Sequence, residues 1–178
     1  MNNSKYDDMK FLFLILISLI VVPSYTQAQS YADKLEVVKL LEGGWEGNLT
    51  YLNFQDNQTR GTVDLQIDGK RKGNEVTLKY TYFNNGEIVR EGSDKVVADD
   101  NTEKFNFNDT WDLSSFQKTG EQSFEFVLTT KGRDDNKKAI MRKTVNISNE
   151  ELTIKRDIKY FKKDSEFFNR HIYSLKKK

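Results

Sequence analysis

His171 is the only imidazole in this chain of 178 residues, and there is no cysteine. Thiol catalysis, disulfides, thiolate zinc sites and the acylated cysteine of a lipoprotein are thereby excluded. Serine nucleophiles need a histidine base and imidazole metal sites usually need two histidines, so the chemistry left is that of carboxylates, tyrosine, lysine or this one ring. His171 lies in Phe-Phe-Asn-Arg-His-Ile-Tyr; a regular strand puts it on one face with Phe167, Tyr173 and Leu175, and puts Phe168, Arg170 and Ile172 on the other. The spacing alone does not say which face is inward. Asp109 and Asp112 flank Trp111, a mixture used by sugar-binding surfaces and by glycosidases with paired carboxylates. Three residues apart they point to opposite faces of a strand, which reads as a polar turn anchored by one buried ring. Asp99, Asp100, Asn101 and Glu103 cluster oxygens without the spacing or the glycine of an EF-hand loop, so no metal is expected.

The remaining charge is balanced, with 28 basic and 27 acidic residues, and such a chain has no global field for nucleic acid. One local bias stands out. Residues 155–178 hold nine basic residues against Asp157, Asp164 and Glu166, an edge that fits an anionic envelope surface or simply discourages strand-to-strand aggregation.

Any such site must be carried by elements, and the first thirty residues read as an address rather than as structure. Lys10 precedes an apolar run from Phe11 to Val22 broken only by Ser18, followed by Pro23 and a small polar stretch ending Ala28-Gln29-Ser30. Twelve residues are too few for a bilayer, which needs about 20. The layout is that of a secretory signal peptide over residues 1–28, cleaved after Ala28, with Met9 as an alternative start. The exported domain is then residues 29–178, in the periplasm or outside the cell, with no transmembrane segment after cleavage.

Ala32, Leu35, Val38 and Leu41 recur every third position, predicting an amphipathic helix from Ser30 to Leu41 that stops at Gly43. Beyond Gly44 the apolar period changes to two. Strands are predicted over 45–54, 62–68, 76–82, 87–91, 94–98, 104–113, 122–131, 138–147, 151–161 and 166–175, with turns at Asp68-Gly69 and Asn85-Gly86. Short loops between neighbours favour a single antiparallel up-and-down β-barrel of 8 to 10 strands over a β-sandwich.

A signal peptide, a short helix, Gly43-Gly44-Trp45 opening the first strand, and a β meander together resemble the lipocalin and wider calycin superfamily. The chain is also similar to envelope proteins of Bacteroidetes. The calycin resemblance implies that Trp45 plugs one end of the barrel, that Arg170 packs across it, and that the interior holds a small hydrophobic ligand. The aromatic residues expected to contact that ligand are Tyr51, Tyr80, Tyr82, Phe124 and Phe126, with His171. No cofactor is expected. Haem held by His171, as in the nitrobindin-like calycin barrels that the C-terminal end resembles, is the alternative. The expected function is non-enzymatic carriage. A barrel packed solid as an envelope interaction module, or a carboxylate-based glycan-binding or hydrolytic protein, are the other readings.

Overall fold

The computed structural model describes residues 22–99, 104–107, 109–162 and 164–178. One helix, α1 (Val22–Leu40), is followed by ten strands: β1 (Gly43–Leu52), β2 (Arg60–Lys72), β3 (Glu75–Asn84), β4 (Glu87–Ala98), β5 (Lys104–Phe107), β6 (Asp109–Gly120), β7 (Ser123–Asp134), β8 (Lys137–Ser148), β9 (Glu151–Tyr160) and β10 (Phe168–Lys177). Each strand pairs antiparallel with the next, and β1 pairs with both β2 and β10, so the meander closes into a barrel. The up-and-down barrel is therefore the fold, and closure leaves edges only along the parts of β4 and β7 that β5 and β6 do not reach.

The alternation in the sequence sets the inward face. Leu65 and Ile67, then Val76, Leu78 and Tyr80, then Phe124, Phe126 and Leu128, then Leu152 and Ile154 are all buried. The Asn85-Gly86 hairpin forms as predicted, both residues taking positive φ (51° and 82°), the conformation of a tight turn that matches strand twist. Three local expectations change. Asp68-Gly69 is no turn, because β2 runs on to Lys72 and the reversal comes at Gly73, at φ 64°. The two segments 87–91 and 94–98 are one strand, β4, and the predicted strand 104–113 is two, β5 and β6.

Helix α1 closes one end of the barrel. Its described part runs from Val22, so the helix reaches back well before the predicted start at Ser30. Its buried stripe is Lys34, Val37, Val38 and Leu41, while Ala32 faces solvent. A β-carbon on Gly69 would lie 2.1 Å from the carbonyl oxygen of Leu41, so only glycine lets the helix end rest on β2. The segment predicted as the apolar part of the signal peptide lies, apart from Val22, outside the described residues. No described helix is long and apolar enough to cross a membrane.

Trp45 is fully buried under this cap and donates from Nε1 to the Leu41 carbonyl at 3.3 Å. The cation over its ring is Lys177, whose Nζ stands 4.2 Å from the ring centroid and donates to the carbonyls of Leu40 and Glu42. This corrects the expected partnership with Arg170. Register pairs Trp45 with Lys177, and Arg170 lies seven residues back along β10, roughly 20 Å away at strand rise.

Candidate functional site

The opposite end of the barrel is built differently on its two sides. On one side the β1–β2 loop folds over Arg170, which is buried and donates to Asp134 at 2.6 Å, Tyr160 Oη at 2.8 Å and Asn57 Oδ1 at 2.8 Å. Tyr160 in turn donates to Asp134, and the guanidinium lies between the rings of Phe54 and Phe168. On the other side the wall is incomplete. Among the described residues β5 pairs with β4 only over Val96–Ala98, and β6 pairs with β7 only as far as Thr129, so a notch lies between Glu87–Gly92 and Thr130–Asp134.

Inside that notch is a cavity of about 360 Å³, in the lower part of the size range of small-molecule sites. Tyr80 and Tyr82 of β3, Arg90, Gly92 and Asp94 of β4, Trp111 of β6, Met141 and Lys143 of β8, Ile154 and Arg156 of β9, and His171 and Tyr173 of β10 contribute to its wall. Each is there because it occupies the inward phase of its strand. The register pairs Lys143 with Arg156, Arg156 with His171, and Tyr80 with Gly92, placing members of each pair side by side on one face.

His171 enters this wall through a β-bulge. Asn169 pairs with Asp157 and His171 with Arg156, leaving Arg170 as the extra residue of β10. The bulge turns two successive residues inward, Arg170 into the sealed end and His171 into the cavity, where strict alternation would have chosen one. Burial, reinforced by Arg156 and Lys143, lowers the imidazole pKa to about 3, so the ring is neutral at physiological pH. Tyr173 meets it edge-on, with ring centroids 5.1 Å apart.

The tyrosines form one aromatic wall. Tyr80 and Tyr82 are near parallel at 6.4 Å, and Tyr173 tilts against Tyr80 at 6.1 Å. Tyr80 donates to Asp94 at 3.1 Å, and burial together with that carboxylate pushes its phenol pKa well up. Burial raises Tyr173 likewise, with Tyr82 adding to the effect. The Tyr80 and Tyr173 hydroxyls are therefore held in the protonated form, and the Tyr82 and Tyr173 hydroxyls share a hydrogen bond at 3.4 Å.

Of the predicted contact residues, Tyr80, Tyr82 and His171 are brought together here. Phe124 and Phe126 are packed core nearer the helical cap, against Phe116 at 5.7 and 5.8 Å. The Tyr51 ring lies over Gly61 of β2, where a β-carbon would come within 2.6 Å of it. Asp109 has no described side chain, Asp112 is exposed, and Asp100, Asn101 and Glu103 lie outside the described residues. Asp94 is the single carboxylate among the described residues lining the cavity.

The basic C-terminal run is not one surface. Arg156, Arg170 and Lys177 turn into the barrel or its ends, Lys155 pairs with Asp157 at 3.5 Å, and Lys178 pairs with Glu46 at 3.6 Å.

No known protein family and no curated protein matches the chain. A solved structure does: the crystal structure of Rv2717c from M. tuberculosis is similar with a TM-score of 0.57 and 11% sequence identity, over 82% of this chain and 97% of that one. At that identity the likeness concerns the fold, a curled antiparallel β-barrel.

Proposed function

We propose that this is an exported, non-enzymatic β-barrel that binds or carries a small molecule inside its calyx. The observation that carries the reading is the interior cavity behind the notch, walled by the rings of Tyr80, Tyr82 and Tyr173. Aromatic faces supply contact area for an apolar body, and the phenol oxygens supply polar contacts that fix its orientation. Gly92 is exposed at the rim of the notch, and its lack of a side chain, with nothing within 4 Å of a β-carbon there, leaves the entrance to the cavity open.

The test is native mass spectrometry on the protein purified from its own cells. The reading expects a polypeptide beginning at Gln29 with a reproducible added mass that is released on denaturation. A bare polypeptide that stays bare after incubation with a lipid extract contradicts it. His171 is neutral, the form in which imidazole ligates iron, so the same spectrum distinguishes haem from an organic guest by its mass.

A further inference from the structure

Two of the cavity's polar groups have no hydrogen-bond partner among the described residues. Trp111 is 3% exposed and its Nε1 is buried without a hydrogen-bond partner; Nε of Arg156 is in the same condition. Arg156 Nη2 donates at 2.8 Å to the thioether sulfur of Met141, a weak acceptor that leaves most of the guanidinium's demand unmet. Buried donors are normally satisfied, and each exception calls for a reason. Of the three such donors among the described residues, Arg170 Nε lies at the sealed end, while Trp111 Nε1 and Arg156 Nε share this cavity, with the ammonium of Lys143 4.4 Å from the Trp111 ring centroid. Arg90 and Arg156 face this space, and the one described carboxylate there, Asp94, accepts from Tyr80.

Resting on the calyx reading above, we propose that the guest is an amphipathic carboxylic acid, its carboxylate held by Arg156 Nε and Trp111 Nε1 beside Lys143, its apolar body against the tyrosine wall. The Nε edge of a guanidinium presents parallel N–H donors that match the two oxygens of a carboxylate. An indole N–H adds one donor and no charge. That set suits a monoanion, whereas a phosphate monoester asks for more donors and more charge. A wholly apolar guest would bury both donors still unpaired, which a calyx selective for such guests would avoid.

The experiment is isothermal titration of the full domain with decanoate, decanol and decyl phosphate, repeated on Arg156→Gln and Trp111→Phe. The proposal expects decanoate to bind about tenfold or more tightly than decanol, since a charge-assisted hydrogen bond is worth that much. Arg156→Gln removes this preference by weakening decanoate far more than decanol, and Trp111→Phe, which keeps a ring, likewise weakens decanoate more than decanol. Circular dichroism confirms that both variants fold. Equal binding of decanoate and decanol, unaffected by Arg156→Gln, overturns the carboxylate site and leaves the calyx standing. Tighter binding of decyl phosphate overturns the choice of anion. Failure of all three probes to bind the unaltered protein overturns the calyx reading itself.

Discussion

Arg156 spends a guanidinium N–H on the sulfur of Met141, at 2.8 Å and across the β8–β9 pair, while its Nε has no partner among the described residues. Neither residue gains much from the contact. A long cationic side chain held in a β-barrel without a carboxylate partner among the described residues destabilises the fold unless something else answers its charge. Arg156→Met is therefore expected to raise stability, by about 1 kcal/mol or more, because a well-packed apolar residue commonly outperforms a poorly satisfied buried cation. Urea denaturation checks this. A loss of stability would mean that Arg156 is already satisfied in the free protein.

Arg170 is better answered: its Nε too lacks a partner among the described residues, but its two Nη groups do not. It is 1% exposed and bound to Asp134, Tyr160 and Asn57, so Arg170→Met leaves Asp134 buried without its cation and should cost about 3–5 kcal/mol. The double variant Arg170→Met with Asp134→Leu should recover much of that loss. If the double variant is as unstable as the sum of the single ones, the pair is not coupled as described.

Trp45 sits beneath α1, capped by Lys177 and bonded to Leu41, and Trp45→Ala is expected to cost about 3–5 kcal/mol. The same measurement on Lys177→Met separates the plug from its cap. The Lys177 ammonium satisfies the carbonyls of Leu40 and Glu42 at the helix end, so a smaller loss confined to the helical end is expected, visible as faster amide exchange in α1.

His171 gives the fold an acid limb. Its folded pKa, about 3, lies below the unfolded value of 6.5, so the unfolded chain binds the proton first as pH falls. Stability from this residue is intact above about pH 6.5 and declines as pH drops toward 3, at up to about 1.4 kcal/mol per pH unit before solvent screening is considered. The burial and the Arg156 and Lys143 cations that cause the shift remain in His171→Gln, which cannot take up a proton. Its stability should be flatter than that of the parent between pH 6.5 and 3, as read from denaturation midpoints at several pH values. Parallel profiles for the two proteins would show that the imidazole is not held neutral.

The barrel was legible because the apolar period of two persists from Trp45 to Leu175, and short turn-rich gaps leave little choice but neighbour pairing. The β5–β6 reversal was not, since Phe105, Phe107 and Trp111 keep an apolar rhythm across the turn. Part of the site was legible for the same reason as the fold: Tyr80 and Tyr82 alternate with polar residues. Arg156, Lys143 and Asp94 were missed, although a signal existed. Arg156 stands in phase with Leu152, Ile154 and Ile158, Lys143 with Met141 and Val145, and Asp94 with Val96 and Ala98, so each is a charge at an apolar beat. A bulge of one residue leaves no such mark, which is why the inward face around His171 is not readable from the spacing; the expectation that Arg170 packs over Trp45 comes from the calycin resemblance and not from the spacing.

The central claim is that the space behind the notch is a binding site, and Gly92 allows it to be filled. Gly92 pairs with inward Tyr80, and a β-carbon there meets nothing within 4 Å, so Gly92→Phe should occupy the cavity without straining the wall. Native mass spectra of the unaltered protein and Gly92→Phe, purified side by side from their own cells, test this directly. The account predicts a bound organic mass on the first and a bare polypeptide, folded and at least as stable, for the second. The same bound mass on both proteins, or none on either after exposure to a lipid extract, would contradict it.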